Sequence, residues 1–240
     1  MSEYPIKRVV SLVPSSTETL LALGAEVVAC SKFCEQPEII HVGGTKNPDI
    51  ERIVALEPDL VVLDREENRV EDHDALVVAG VAVFVSDVTD LPGALTVVRE
   101  LAAKTGVSIS DAVTELPAVA ETAPRRLAFV PIWRRPWMTI SQRTYGADLL
   151  AHIGIDLVRA ADPSPYPTVE LDEIADARPD LVVVPTEPYE FAARHRAELT
   201  EALPEAHLVE VDGQDLFWWG SRTPGAVNRL AEALALRPMP

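Results

Sequence analysis

All four tryptophans of the chain lie in two short polar stretches. Trp133 and Trp137 occur in "IWRRPWMTIS", and Trp218 and Trp219 occur in "DLFWWGSRTPG". Aromatic residues make up only 5% of the sequence, so this grouping is not a general feature of its composition. Aromatic side chains in loops rich in arginine, glycine, proline and serine favour contact with a ligand. The alternative is a structural role, because tryptophan is often mostly buried.

The residue types that most often carry catalysis show no comparable grouping. The five histidines are scattered, and the sequence contains no P-loop, dinucleotide-binding, nucleophile-elbow or zinc-protease motif. Cys30 and Cys34 are spaced C-x3-C rather than the redox C-x-x-C, which favours a reduced core cysteine at a strand end and a loop cysteine. The sequence therefore predicts no catalytic residue and no metal site.

Charge and hydropathy exclude several classes of partner. The 240 residues carry a formal net charge of −17, which repels phosphate backbones and anionic membrane surfaces. No run approaches the roughly 20 apolar residues that span a bilayer, and the start of the chain lacks the apolar segment of an export signal. We therefore expect no nucleic-acid partner, no membrane insertion and a cytoplasmic location.

An internal repeat organises the chain. "IERIVALEPDLVVL" (50–63) matches "LDEIADARPDLVVV" (171–184) at an offset of 121 residues, and "KRVVSLVP" (7–14) is echoed by "RRLAFVPI" (125–132). Each repeated unit contains an apolar strand of the kind that lies inside a parallel sheet covered by helices. The pattern predicts an N-terminal α/β lobe over 1–90 and a C-terminal α/β lobe over 125–240.

The intervening segment, 91–124, shows no strand pattern. It predicts a helix over about 93–104, a break at Gly106, and a second helix that begins at the Ser110-Asp111 cap and that Pro117 kinks or ends. We therefore predict an α/β fold with two Rossmann-like lobes, each with a parallel sheet. A helical spine joins these lobes, and a ligand cleft lies between them, where the carboxyl ends of the strands meet.

The predicted ligand contacts are the residues in or near the loops that follow these strands. The aromatic candidates are Phe33, Trp133, Trp137, Tyr145, Tyr189, Trp218 and Trp219, and the polar candidates are Ser15, Ser16, Thr45, Asn68, Glu187 and Arg222. Two of these stretches have an alternative interpretation. Ser15 and Ser16 precede a helix and would serve as its N-cap, and "DREEN" (64–68) would be a solvated loop that caps the next helix.

The sequence resembles a known family over nearly its whole length. "RVVSLVPSSTETLLALG" and "VGGTKNPDIERIVALEPDLVVLDREEN", followed by "IWRRPWMTISQRTYGADLLAHIG" and "DLFWWGSRTPG", resemble the class III substrate-binding proteins with a helical backbone. That family includes periplasmic cobalamin-binding and siderophore-binding proteins. "TKNPDIERI" with "EEN", and the tryptophan-rich loops, look most like the cobalamin-binding branch, including its leaderless members.

The resemblance implies a rigid, non-enzymatic binding protein for a cobalamin-like corrinoid, without a catalytic cofactor, and we expect it to be a monomer. One alternative is an iron–siderophore or haem-type chelate in the same fold, for which arginines would supply a basic pocket: Arg134, Arg135, Arg143 and Arg222. A second alternative is a metal chelatase of tetrapyrrole synthesis, which would need a histidine or glutamate pair that the sequence does not supply. A third is a regulatory protein that has lost ligand binding.

The resemblance also bears on transport. Family members that serve an ABC transporter carry a surface glutamate on each lobe that docks with the permease. Glu71 lies about where the first glutamate would be, whereas Gly220 and Ser221 occupy the neighbourhood of the second. The sequence therefore does not predict transporter docking, and it favours a cytosolic binder or carrier.

Overall fold

The computed structural model describes residues 6–118 and 124–234. The chain forms two compact units. The first comprises the chain up to Val88 together with Pro92–Glu115 and Trp219–Arg222, and the second comprises Thr89–Leu91, Leu116–Trp218 and the chain from Thr223 onward. The predicted domain boundaries stay a prediction, and residues 119–123 of the predicted connecting segment lie outside the described residues.

The first unit is built on a five-stranded sheet with the order β3-β2-β1-β6-β7, and all of its neighbours are parallel. Its strands are β1 (Val9–Ser11), β2 (Val27–Cys30), β3 (Ile40–His41), β6 (Leu60–Asp64) and β7 (Val83–Ser86), and a short antiparallel pair is formed by β4 (Gly43–Gly44) and β5 (Asn47–Pro48). Every residue of β6 is buried, as is expected of a strand inside a parallel sheet. This parallel sheet confirms the strand pattern predicted from the sequence.

The helices of the first unit are α1 (Pro14–Ala22), α2 (Ile50–Ala55), α3 (Val70–Val78) and α4 (Leu91–Thr105). Local sequence fixes several of their ends. Pro14 opens α1 at a position where no amide donor is needed, and the Asp49 carboxylate caps α2 by accepting a hydrogen bond from the Arg52 amide at 3.0 Å. The predicted second helix of the connecting segment is wrong in its length, because only a 3₁₀ turn at Asp111–Val113 forms there.

The second unit repeats the design with a parallel sheet of order β10-β8-β12-β13. Its strands are β8 (Arg126–Phe129), β10 (Ile155–Leu157), β12 (Leu181–Pro185) and β13 (His207–Val211), with an antiparallel pair formed by β9 (Trp137–Met138) and β11 (Thr168–Val169). Its helices are α5 (Tyr145–His152), α6 (Leu171–Asp176), α7 (Ala193–Ala202), α8 (Gly213–Phe217) and α9 (Thr223–Leu234).

The repeated Pro-Asp dipeptide has the same structural role in both units. The Asp59 carboxylate precedes β6 and accepts hydrogen bonds from the backbone amides of Arg8 and Lys7, both at 2.9 Å. The Asp180 carboxylate precedes β12 and accepts one from the Leu127 amide at 2.8 Å. Each aspartate therefore aligns the start of its strand with the neighbouring strand, which explains in physical terms why the repeat is visible in the sequence.

Each unit has its own apolar core. In the first, residues from the sheet, from α3 and from the end of β1 onward pack together: Val10, Leu12, Ala29, Val61, Leu63 and Leu76. In the second, Phe129 and Val182 of the sheet pack against Ile174 of α6 and Leu199 of α7. Within the described residues, no helix combines the length and the apolar character needed to cross a membrane.

Candidate ligand-binding site

Aromatic rings gather in the loops that follow β8 and β12. We call Trp133, Trp137, Tyr189, Phe191 and His195 the aromatic cluster. The ring centroids of Trp133 and Tyr189 are 5.1 Å apart in an edge-on arrangement, those of Tyr189 and Phe191 are 4.8 Å apart, and Trp137 stacks on Phe191 at 5.9 Å. Because β8 and β12 are parallel neighbours, their carboxyl ends bring these loops to the same edge of the sheet.

The rings of the aromatic cluster differ in exposure, from buried to exposed. Phe191 and His195 are buried, and Trp137 and Tyr189 are half-buried. Trp133 remains 45% exposed although four other aromatic rings belong to its cluster. A large ring that is exposed yet supported from below offers a flat apolar surface to a planar ligand.

Trp133 is presented by a tight loop that an ion pair fixes in place. Met138 and Trp133 form a bridge in which the Met138 amide donates to the Trp133 carbonyl at 3.1 Å. Between them, Arg134 donates to both carboxylate oxygens of Glu198 on α7, with Nε to Oε2 and Nη2 to Oε1 both at 2.9 Å. The Arg134 guanidinium also lies over the Trp137 ring, 5.4 Å from its centroid. The loop is therefore attached to α7 and to the aromatic cluster.

His195 is a neutral member of the cluster. The Arg194 Nε donates a hydrogen bond to His195 Nε2 at 3.1 Å, so the ring proton lies on Nδ1. Burial lowers the pKa of His195, and the positive charges of Arg194 and Arg134 lower it further. Nδ1 is enclosed and has no hydrogen-bond partner among residues 6–118 and 124–234. The ring therefore contributes apolar contact to Tyr189 and Phe191 rather than a charge.

Sequence-based reasoning missed Phe191 and His195. Both lie in "EPYEFAARHR" (187–196), in or just after the loop that supplies the predicted residues Glu187 and Tyr189. Phe191 follows Tyr189 at a spacing of two, which in extended backbone places both rings on one side. That spacing was the available signal, whereas nothing local distinguishes His195 from the other four histidines.

Two polar candidates of the first unit, Thr45 and Asn68, lie in loops that are joined by a hydrogen bond. Asn68 accepts a hydrogen bond from the Asp64 amide at 2.8 Å through Oδ1 and donates to the Thr45 carbonyl at 2.9 Å through Nδ2. Asp64 accepts from the Ser86 hydroxyl at 2.7 Å and from the Glu66 amide at 2.9 Å, while burial raises the pKa of its carboxyl group. Asn68 and Thr45 are buried, so Asn68 shapes this surface by joining the loop after β6 to the loop after β4.

The serines of α1 are buried, and Phe33 is exposed. Ser15 and Ser16 lie inside the first turn of the helix, and the N-cap position is Val13, so the alternative role of these serines as N-caps is wrong. The Ser16 hydroxyl is fully buried and has no partner within the described part of the chain. Phe33 is 54% exposed, and the Lys32 ammonium lies 5.0 Å from its ring centroid. Phe33 is thus the accessible aromatic candidate of the first unit.

The remaining candidates make internal contacts. Tyr145 is 5% exposed and its hydroxyl lies 2.9 Å from the Thr223 hydroxyl, while Trp219 is 7% exposed. Arg222 forms an ion pair with Glu18 on α1, with Nε and Oε2 2.7 Å apart. Glu187 and Trp218 are half-buried. The structure thus brings Trp133, Trp137 and Tyr189 together, whereas Tyr145, Trp219 and Arg222 pack elsewhere.

The sequence profile of the family described as "Periplasmic binding protein" matches residues 9–214. The chain belongs to the periplasmic binding protein family. It is 24% identical over 254 aligned residues to a vitamin B12-binding protein of Vibrio parahaemolyticus serotype O3:K6, an alignment that covers 97% of this chain and 90% of that relative. It is 28% identical to a vitamin B12-binding protein of Yersinia pestis, with 74% and 69% of the two chains covered.

Solved structures confirm the predicted fold class of this binding protein. The periplasmic vitamin B12 binding protein of Vibrio cholerae superposes with a TM-score of 0.74 at 20% identity, covering 96% of this chain and 97% of that one. A periplasmic heme binding protein from Pseudomonas aeruginosa gives a TM-score of 0.77 at 20% identity, with 98% and 95% covered. The chain is therefore an α/β protein of the class III type with two parallel-sheet lobes, as the sequence resemblance implied.

The structure also explains why residue 220 is a glycine. Gly220 lies near one of the two positions at which the resemblance places a docking acid. Gly220 has φ +127°, and a Cβ atom at this position would collide with the Thr19 hydroxyl oxygen. The same oxygen accepts a hydrogen bond from the Ser221 amide at 3.1 Å. A side chain at 220 is therefore excluded by α1. Glu71, at the other position, is exposed in the first turn of α3.

Proposed function

We propose that this periplasmic-binding-protein family member is a non-enzymatic binding protein for a cobalamin-like corrinoid. The observation that carries the proposal is the exposed Trp133 ring, which is held edge-on by Tyr189 above a buried aromatic base. A corrin is a large flat ring with apolar faces and an amide-bearing edge, so its faces suit aromatic contact. The relatives named vitamin B12-binding proteins support the same ligand class.

The proposed contacts follow from exposure. Within the aromatic cluster, Trp133 has the largest exposed fraction, 45%. Trp137 and Tyr189 add partly exposed area beside Trp133. Half-buried Glu187 lies two residues before Tyr189 and is the polar candidate nearest in sequence to this cluster, where it would meet the amides of the ring edge.

The chemistry of His195 supports binding rather than catalysis. Its Nε2 already accepts a hydrogen bond from Arg194, and no carboxylate within the described residues hydrogen-bonds to its ring. A general acid or base needs an accessible nitrogen and a partner that tunes it. We therefore propose no reaction at this site, and the predicted absence of transporter docking, the monomeric state and the cytoplasmic location stay predictions.

A second candidate ligand is a haem-type chelate. The guanidinium groups of Arg134, Arg135 and Arg194 all lower the pKa of His195, so the aromatic cluster has positive charge beside it. Glu198 neutralises Arg134, whereas Arg135 and Arg194 are exposed. Haem carries carboxylates, which these exposed arginines would attract. An amidated corrinoid does not carry such carboxylates.

A competition experiment separates these two ligands. The protein is dialysed to equilibrium against hydroxocobalamin, haemin and a ferric siderophore, singly and in pairs, and bound ligand is read from visible absorbance. We expect hydroxocobalamin to bind in a one-to-one ratio and to resist displacement by equimolar haemin. Retention of haemin with loss of hydroxocobalamin would transfer the proposal to the haem-type ligand.

A further inference from the structure

The loop that follows β12 passes very close to Gly213, the first residue of α8. We call residues 186–191 the β12 loop, which carries Glu187, Tyr189 and Phe191. A Cβ atom at position 213 would lie 2.6 Å from the Glu187 amide nitrogen and 2.7 Å from its carbonyl oxygen. Side chains do not approach a backbone so closely, so only glycine permits this contact.

The backbone conformation of Gly213 does not explain why this residue is a glycine. Gly213 lies in the first turn of α8, and its φ is outside the positive range that favours glycine. Asp212 caps this turn by accepting a hydrogen bond from the Gln214 amide at 2.9 Å, and a side chain at position 213 would not prevent that bond. The close approach of the β12 loop is therefore the physical reason for the glycine.

Hydrogen bonds attach the start of the β12 loop to the segment that leads into α8. The Gly213 amide donates to the Thr186 hydroxyl oxygen at 2.9 Å, and the Thr186 amide donates to the Val211 carbonyl at 3.0 Å. Because β12 and β13 are parallel neighbours, both segments leave the sheet at the same edge. The contact with Gly213 therefore fixes the β12 loop just before Tyr189.

Helix α8 is also anchored to α9 and to α5. Asp215 of α8 is only 3% exposed, and its two carboxylate oxygens accept hydrogen bonds from Nε and Nη2 of Arg229 on α9, both at 2.6 Å. A Cβ atom at Gly146 of α5 would lie 2.9 Å from the Leu216 carbonyl oxygen, so α5 packs directly against the backbone of α8. These contacts leave α8 little freedom to move.

A side chain at position 213 would therefore displace the β12 loop rather than α8. Three residues of this loop are exposed, which leaves it room to move outward: Thr186, Pro188 and Glu190. Tyr189 lies between the last two, and its ring centroid is 5.1 Å from that of Trp133. Displacement of the loop would thus change the contact that supports the exposed Trp133 ring.

We propose that Gly213 is a positioning residue for the ligand-binding site. By allowing the β12 loop to lie directly against α8, it places Tyr189 against Trp133 before a ligand arrives. A contact residue that is already in place loses less entropy when the ligand binds. This role rests on the proposed function, because Trp133 is the proposed contact with the corrinoid, and Gly213 acts on the ligand only through the β12 loop.

Ligand affinity of Gly213→Ala tests this role. Equilibrium dialysis should show that hydroxocobalamin binds about tenfold more weakly than to the wild type, because a methyl group inserted into a closely packed contact displaces one side of it. Gly146→Ala is the matched control, since its methyl group would meet Leu216 and Phe217 of α8 and not the β12 loop. The control should keep the affinity of the wild type, and urea unfolding of both variants separates lost affinity from lost stability. Unchanged affinity in Gly213→Ala, or an equal loss in both variants, would overturn the proposal.

A measurement without ligand separates this role from the proposed function. The indole N–H groups of the four tryptophans give separate signals in a nitrogen-15 NMR spectrum, and Trp133→Phe identifies the signal of Trp133. This signal should shift in Gly213→Ala, because the Tyr189 ring beside it moves, and it should stay in place in Gly146→Ala. If the wild type does not bind hydroxocobalamin but the signal shifts as expected, the proposed function is wrong and the positioning role stands. A Trp133 signal that does not move in Gly213→Ala would overturn the role itself.

Thr186→Val keeps the test decisive if Gly213→Ala does not fold. This substitution removes the hydroxyl that accepts the Gly213 amide proton and adds no atom between the β12 loop and α8. Thr186 is exposed, so we expect the variant to fold. The Trp133 signal should shift in the same direction as in a displaced loop, by a smaller amount. An unchanged Trp133 signal and unchanged hydroxocobalamin affinity in Thr186→Val would then overturn the proposal.

Discussion

Arg134 and Glu198 join the loop that carries Trp133 to helix α7 through a bidentate ion pair. The side chains are 17% and 37% exposed, and the Arg134 guanidinium also covers the Trp137 ring at 5.4 Å. Trp137 in turn stacks on Phe191, which contacts Tyr189, the residue that supports Trp133. The ion pair and these ring contacts therefore form a continuous set of contacts that supports the exposed Trp133 ring. Such support holds a contact residue in place before the ligand arrives, which reduces the entropy lost on binding.

Replacing Glu198 by glutamine should loosen this loop and weaken ligand binding. Hydrogen bonds to charged groups contribute about 1.5–3 kcal/mol, and the partial exposure of this pair reduces that to about 1 kcal/mol. We therefore expect a loss of affinity for hydroxocobalamin of roughly fivefold, since 1.4 kcal/mol is tenfold. Acrylamide quenching of tryptophan fluorescence should increase in the unliganded variant.

Glu210→Gln is the matched control, because Glu210 pairs with Arg196 of the same helix and both side chains are well exposed, at 52% and 39%. It should leave both measurements near wild-type values. Equal effects of the two substitutions would show that the Arg134–Glu198 pair does not position Trp133.

Trp133→Ala should mainly lower ligand affinity, whereas Trp219→Ala should mainly lower the stability of the protein. Trp133 is 45% exposed, so its removal should lower ligand affinity at least about tenfold and change the free energy of unfolding by less than about 1 kcal/mol. Trp219 is 7% exposed, so its removal should destabilise the protein by about 3–5 kcal/mol. Urea unfolding and ligand titration on the same samples check both expectations. A large stability loss in Trp133→Ala with unchanged affinity would make Trp133 a structural residue.

Gly220→Ala should destabilise the protein more than Gly24→Ala. Both glycines have a positive φ, +127° and +82°, but only at Gly220 would the new Cβ collide with Thr19, whereas nothing lies within 4 Å of it at Gly24. Backbone strain alone costs about 1–2 kcal/mol, and the collision should add about 1–3 kcal/mol at Gly220. Chemical denaturation measures the difference. The double variant Gly220→Ala/Thr19→Ala should recover part of it, and no recovery would mean that the Thr19 contact is not the cause.

The lowered pKa of His195 leads us to expect that the protein loses stability in acid. Because burial lowers its pKa in the folded protein, the unfolded chain binds a proton at about pH 6.5 while the folded chain does not. The stabilisation is complete above this pH and is lost as the pH falls towards the lowered folded value. The free energy of unfolding of the wild type should therefore fall more steeply below about pH 6.5 than that of His195→Gln. Exposed His207→Gln is the control and should follow the wild type. Parallel curves for His195→Gln and the wild type would contradict this assignment.

The fold could be predicted because its signals are local. The runs at 60–64 and 181–185 are apolar at nearly every position, and both strands are buried along their length. Asp59 and Asp180 repeat the same hydrogen-bonding role before these strands, so the relation between the halves is visible in the sequence. The helix predicted after Ser110 failed because a cap residue alone cannot stabilise a helix without an apolar face to pack.

The candidate site was less predictable because its contacts are remote in sequence. Arg222 pairs with Glu18 across 204 residues, and Tyr145 bonds Thr223 across 78, so no local pattern shows that these residues are engaged. Strand-end position correctly brings Trp133 and Tyr189 together, since parallel neighbours end at the same edge. It cannot tell an exposed ring such as Trp133 from a packed one such as Trp219.

Calorimetric titration with hydroxocobalamin measures whether the exposed aromatic face of Trp133 binds a corrinoid, as we propose. We expect a saturable one-to-one signal with quenching of tryptophan fluorescence in the wild type, and an affinity at least about tenfold lower in Trp133→Ala. Absence of both heat and quenching at tens of micromolar hydroxocobalamin, with protein shown to be folded, would contradict it.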